Sequence, residues 1–338
     1  MKFICITFAL MIAVTQTSNA QWVQQSINTT ADFRGLCAIS SDVAWVSGTK
    51  GTVGRTLDGG KTWEVITVPG AEKLDFRDIE AFSKDVAYIL SIGSGENSRI
   101  YKTTDGGKQW KLQFTNDNPK AFYDALAFWD EQHGVAISDP VDGKFRLLIT
   151  SDGGANWKPI LSANMPDALE GEGAFAASGA CLLATGTNDI WFVTGGASAA
   201  RLFHSPDKGR NWTVLESKMQ AGVDSRGIFS LAFKDRSTGM MVGGDYKIPL
   251  QTNQTWLLTT NGGISWEAAE KPSLLPFCSC VVWAGNHWIA VGTTGSFQSQ
   301  DGKKWNRIDA ENYNVVSAGK DGSTWAAGPK SRIATLKN

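Results

Sequence analysis

Ten side chains able to do chemistry stand at the starts of short apolar runs or in the loops that follow them. Arg34, Arg77 with Asp78, Tyr123 with Asp124, Glu172 and Arg226 open or precede such runs. Asp139 lies in the loop Asp139-Pro140-Val141-Asp142-Gly143-Lys144. Asp245 and Tyr246 begin an insertion that lasts to Thr255. A guanidinium fork engages a carboxylate through two parallel hydrogen bonds, so three arginines brought together would hold an anionic group. Glycoside cleavage needs paired acids, so Glu172 and Asp139, with Tyr246, are the catalytic alternative. Arg and Asp near strand ends also pair simply with one another across neighbouring units. These residues are far apart in sequence, so the fold must bring them together.

The element that could do so is a repeated turn. Thr56-Leu57-Asp58-Gly59-Gly60-Lys61-Thr62-Trp63 returns at Thr103–Trp110, Thr150–Trp157 and Ser205–Trp212. It returns again at Thr259–Trp266 with Asn261 in place of the acid, and at Ser299–Trp305 one residue short. The common form is [Ser/Thr]-x-Asp-x-Gly-x-x-Trp. The carboxylate of Asp58, Asp105, Asp152, Asp207 or Asp301 can accept backbone N–H groups of its own turn, joined by the hydroxyl two residues earlier. The glycine supplies a positive φ that a Cβ would oppose. Trp63, Trp110, Trp157, Trp212, Trp266 and Trp305 open the next strand and fill an apolar slot. These residues read as scaffold.

Between the turns the chain alternates short strands with glycine-rich bends and shows no convincing helix. Each unit has four antiparallel strands, one propeller blade. Units begin near Arg34, Phe76, Tyr123, Gly173, Gly227 and Phe277. Three further strands, Val315–Ser317, Thr324–Gly328 and Arg332–Leu336, lack a fourth partner. Trp22–Ile27 resembles the Trp-led outer strands and follows no turn of its own, so it is expected to close a seventh blade. The fold class expected is all-β, a seven-bladed propeller over residues 21–338 with no second domain. The 338 residues less a 20-residue leader, shared among seven blades, give about 45 each, within the ~40–50 of propeller repeats.

Met1–Ala20 reads as a secretory signal peptide. Lys2 precedes the apolar run Phe3–Val14, and small residues end the segment at Ser18-Asn19-Ala20. Export to a periplasm or the extracellular space follows, with no transmembrane segment in the mature chain and a monomer expected. Removing Lys2 from 32 basic residues leaves 31 against 33 acidic ones, which gives no reason to expect a nucleic-acid partner. Cys37, Cys181, Cys278 and Cys280 lie on apolar strands and read as buried thiols. Cys278-Ser279-Cys280 has no nearby His or second Cys pair, so no metal is expected. Without a CxxC, a haem motif or a glycine loop between strand and helix, no cofactor is expected either.

The turn resembles the Asp box, or BNR repeat, of β-propellers. Six boxes in a seven-bladed exported chain, with Phe33-Arg34-Gly35 and Phe76-Arg77-Asp78 opening inner strands, resemble the photosystem II stability/assembly factor type. That resemblance covers essentially all of Gln21 to Asn338. It implies a non-catalytic module that binds a protein through an arginine-bearing face, to which Arg34 and Arg77 carry over, with Arg226 the third candidate. Sialidases also carry Asp boxes, with an arginine triad, a Tyr/Glu pair and an Asp on one propeller face. Phe33-Arg34-Gly35-Leu36 half matches their Phe-Arg-Ile-Pro opening. The two readings are therefore a module recognising a protein or glycan partner, with an anion as the natural target, and a sialidase-like glycoside hydrolase.

Overall fold

A computed structural model describes residues 20–160, 164–268 and 275–337, so all of the expected leader but Ala20 lies outside the described residues. Seven four-stranded antiparallel sheets form the chain. The innermost strands are Phe33–Ala38, Phe76–Ala81, Tyr123–Phe128, Leu182–Thr185, Arg226–Phe233, Cys280–Trp283 and Val315–Ala318. Each touches the next, and the last touches the first, which closes a ring around a central channel. In the seventh blade Gln21–Gln25 pairs antiparallel with Ile333–Lys337, Gln21 opposite Lys337 and Gln25 opposite Ile333. The expected closure is therefore present, and it leaves no blade with only three strands. The only helical element among the described residues is the 3₁₀ turn Gly95–Asn97.

The repeated turns are built from their own atoms. Thr56 Oγ1 donates to Asp58 Oδ1 at 2.9 Å, and the N–H groups of Gly60 and Thr62 close on Thr56 Oγ1 and Asp58 Oδ1, both at 2.9 Å. The same three bonds recur at Thr103–Asp105, Thr150–Asp152, Ser205–Asp207 and, through the amide, Thr259–Asn261. In the shortened sixth copy the N–H groups of Lys303 and Lys304 both reach Asp301. Gly60, Gly107 and Gly154 hold φ of 83°, 87° and 80°, the left-handed region that a glycine enters freely. Hydrogen bonds from the turn hold each of these five aspartates below the usual carboxylate range.

Four of the turns also tie their blades together, since Gly59, Gly106, Gly153 and Gly262 donate to the carbonyls of Asp42, Asp85, Gln132 and Ser237. Aromatic rings join neighbouring blades. Trp110 meets Trp45 edge-on at 6.3 Å, and Trp63 meets Trp325 at 6.0 Å. The indole N–H of Trp45 donates to Ser83 O, and that of Trp325 to Ser40 O, each in the next blade. The four cysteines among the described residues are free thiols, three of them buried.

The fourth blade departs from expectation. Its inner strand begins at Leu182, whereas Gly173 makes only an isolated bridge to Gly195. Residues 174–181 leave the sheet and go elsewhere.

Trp45 is fully buried between two blades, so Trp45→Ala should cost about 3–5 kcal/mol in chemical denaturation. Deleting residues 21–25 should do worse, leaving an aggregating or unfolded protein, because Ile333–Lys337 becomes an open edge. A soluble deletion variant with an unchanged melting curve would contradict this account of closure.

Candidate functional site

One face of the ring carries the inner-strand starts and the loops between second and third strands. The segment missing from blade four lies across it. Ala177 O accepts from Arg34 Nη1 at 3.1 Å in blade one, and Ala176 O accepts from Arg77 Nη1 at 3.2 Å in blade two. The Ala174 N–H donates to Asp139 Oδ1 at 2.9 Å in blade three. Phe175 stacks on Phe229 of blade five at 3.8 Å, and Ser178 Oγ donates to Ser279 O just ahead of the blade six inner strand. A segment held by five other blades can only cross the channel mouth. Gly179 sits where a Cβ would come 2.2 Å from Asp78 Oδ1, with φ at 72°, so only glycine fits there.

The three arginines do not share one anion pocket. Arg34 and Arg77 are neighbours, and burial together with the Arg77 charge pushes the Arg34 guanidinium below its ordinary value. Their donors go to the crossing segment and, for Arg77 Nε, to Asp75 at 2.8 Å. Arg226 stands apart, its Nε paired with Asp245 at 2.9 Å. Burial works against Asp245, yet the Ser225 hydroxyl and Arg226 hold its carboxyl below the usual range. Arg77 and Arg226 thus pair with acids of their own blades, Asp75 and Asp245, and not across neighbouring blades.

The acids divide into two groups. Glu172 is buried and saturated. Arg201 engages it bidentately, Thr194 Oγ1 donates to Oε1 at 2.6 Å, and the Leu169 N–H donates to Oε2 at 2.8 Å. Every favourable acceptor position on it is used, so this carboxylate fixes the loop over residues 167–173. The second group lies along inner strands with few partners. Burial pushes Asp78 up to about 7 against N–H donors from Leu126 and Ile79. Glu80 is pushed up to about 8 by burial and then by the charge of Asp78. Asp124 is raised well above its ordinary value by burial and by Asp139, which burial itself raises to about 6.

Tyr123 is buried against Phe114, and burial raises its hydroxyl to about 12. Tyr246 is exposed on the blade five insertion together with Ile248 and Leu250, the last 75% accessible. Among the described residues no candidate tyrosine hydrogen-bonds a candidate acid, so the Tyr/Glu pairing of a sialidase site is not assembled by Tyr246 and Glu172. Among the described residues no group of three His, Cys, Asp or Glu converges to hold a metal.

Sequence reasoning missed the crossing segment, Arg201 and the exposed apolar side chains of the insertion. The run Ala174-Phe175-Ala176-Ala177-Ser178-Gly179-Ala180 stands where the repeat places an inner strand. Its signal was the crowd of small residues, which a backbone packed into a channel mouth requires.

Two expectations follow. Glu172→Gln should destabilise by about 3–5 kcal/mol, because it leaves Arg201 buried without its counter-charge. Glu172→Gln/Arg201→Met should cost less than the two single changes summed, as measured by denaturant unfolding. The second concerns pH. Asp78 and Glu80 keep protons when folded that the unfolded chain releases above about pH 4, so their contribution is complete below that pH and lost as pH rises through about 7 to 8. The box aspartates act oppositely, losing their contribution as pH falls below about 4. Melting temperature should therefore peak in mild acid, and Asp78→Asn should flatten the decline towards pH 8. A flat profile from pH 5 to 8 would contradict this assignment.

Residues 51–166, roughly a third of the chain, match the family model described as Sortilin-Vps10, Sortilin, neurotensin receptor 3. No curated protein matches the sequence. Among solved structures, "YCF48 bound to D1 peptide" superposes with a TM-score of 0.69 at 16% identity, over 96% of this chain and 98% of that one. YCF48 from Cyanidioschyzon merolae superposes at 0.63 and 16% identity, over 93% and 98%. A streptogramin B lyase structure superposes at 0.66 and 12% identity, over 94% and 98%. One of these similar structures holds a peptide and another is titled as a lyase, so what the likeness establishes for this chain is the propeller fold.

Proposed function

We propose that the chain is an exported, monomeric, non-catalytic binding or assembly module that recognises a protein through the face bearing the inner-strand starts. One observation carries this reading. On a rigid face whose arginines and Glu172 are already satisfied internally, Tyr246, Ile248 and Leu250 stand out in solvent at 44%, 47% and 75% exposure, beside Val223 at 41%. Clustered apolar side chains on a loop held by a rigid scaffold mark a protein contact more than a sugar subsite. The insertion is anchored, with the Phe277 N–H on Pro249 O, the Gln220 N–H on Gln254 O, and Lys247 paired with Asp224 at 2.9 Å. The fold likeness to a peptide-bound propeller agrees with this reading. The glycan and sialidase alternatives have less support, because Glu172 is engaged by Arg201 and Tyr246 stands away from it in the hydrogen-bond network.

Export rests on the leader Met1–Ala20. Among the described residues no helix is long and apolar enough to cross a membrane. N-terminal sequencing of the native protein should begin at Gln21.

The binding reading is tested by comparing two charge-changing pairs. Ile248→Asp/Leu250→Asp should lose a partner captured from host extract. Lys61→Glu/Lys303→Glu, on the opposite face, should retain it. The wild type should release no fluorophore from a sialoside. Hydrolysis abolished by Tyr246→Phe, or full capture by the Ile248→Asp/Leu250→Asp protein, would overturn the proposal.

A further inference from the structure

A cleft of about 760 Å³ opens on the same face between the loop over residues 139–143 and the connection over residues 168–173. Phe122, Pro140 and Leu169 give it apolar walls, Asp139 lies at its base and Glu170 at its lip. The charges around it are unevenly compensated. Lys120, the one cation of the lining, is tied to Asp142 at 3.0 Å, and Glu172 is tied to Arg201. Asp139 and Glu170 have no ion-pair partner among the described residues. Asp139 accepts one hydrogen bond on Oδ1, from Ala174, and none on Oδ2.

A second observation lies behind it. Asp124 is the bulged residue where the inner strand of blade three slips register between Tyr123 and Ala125. It is 1% exposed, and its carboxyl lies near enough to Asp139 for the two charges to repel. Its Oδ2 is buried without a hydrogen-bond partner. Arg77, the nearest guanidinium, already donates to Asp75 and Ala176. An apolar-walled cleft thus ends on an acid with an open acceptor position, backed by a second acid with a buried orphan oxygen. Asp139 Oδ2 is therefore free to accept from a donor that enters the cleft.

We propose that this cleft takes a basic side chain of the protein partner, an ammonium or guanidinium on an aliphatic stem. Asp139 is the counter-charge, and Phe122, Pro140 and Leu169 cover the stem. A long basic side chain buries its methylenes along apolar surface while its head seeks a carboxylate. An anion would meet Asp139 and Glu170 as like charges, and among the described residues no group of three ligands forms to hold a divalent metal. The assignment to a protein rests on the binding reading above. The cation site itself does not.

Small probes separate the two. The protein labelled with ¹⁵N is titrated with n-butylamine or n-butylguanidine, and with n-butanol and butyrate as controls. At pH 7.5 both cations should give saturable amide shifts confined to residues 139–143 and 168–173, and neither control should. Asp139→Asn, which keeps the Oδ1 acceptor for Ala174, should weaken cation binding at least fivefold. Glu170→Gln, at the exposed lip, should weaken it less. Burial raises Asp139 to about 6, so binding should also weaken at pH 5 as this carboxyl takes up a proton. Equal shifts with butanol, or undiminished cation binding by Asp139→Asn, would overturn the site. Capture of a partner by the wild type without any cation shift would overturn this inference alone. Cation saturation with no protein captured would keep the site and overturn its assignment to a protein.

Discussion

Everything on the functional face depends on five antiparallel pairs between Gln21–Gln25 and Ile333–Lys337. Ring closure is a long-range constraint, since it joins the start of the described chain to its end. Only a closed ring aims seven inner strands at one axis. Trp22 strengthens the seam, its indole N–H on Ser296 Oγ of blade six at 2.8 Å and its ring against Tyr313 at 5.4 Å. Gln24 also donates to the Tyr313 hydroxyl. The geometry at the channel mouth follows from these contacts, although none of them lies there.

What converges at the mouth is mostly self-satisfied. Arg34 and Arg77 are capped by backbone carbonyls, Arg226 by Asp245, and Glu172 by Arg201. A propeller confers proximity on residues far apart in sequence, and proximity here has been used largely to hold loops in place. In blade three a strand bulge places Asp124, with a buried unpartnered oxygen, behind Asp139. The exposed side chains of Tyr246, Ile248 and Leu250 stand on blade five. The face therefore has two distinct regions, one acidic and recessed, the other apolar and raised.

The architecture was legible because it repeats. Six turns with a hydroxyl, an acid or amide, a glycine and a Trp give the blade count, and the unpartnered Trp22 strand gives the closure. Each turn is satisfied by atoms within a few residues, so local sequence is enough to read it. The site was less legible because pairing there is non-local. Asp75 lies two residues from Arg77, but Ala176 lies 99 away, and nothing in either stretch shows the other. The placement of Arg34, Arg77, Asp78 and Asp139 near one mouth was readable from strand starts and loops. The carbonyls that occupy the arginines were not, because residues 174–180 stand where the repeat places an inner strand and leave the sheet only in the assembled ring.

That departure changes the mechanics of the molecule. A ring of repeats ordinarily passes load only between neighbours, so that one unit can open while distant ones stay shut. The segment over residues 174–180 works as a spoke, bonded to blades one, two, three, five and six at once. Prising any one of these blades outward strains the hub, and through the hub the far side of the rim. The protein is thereby braced as a wheel, with its cooperativity set at the axle as well as along the circumference.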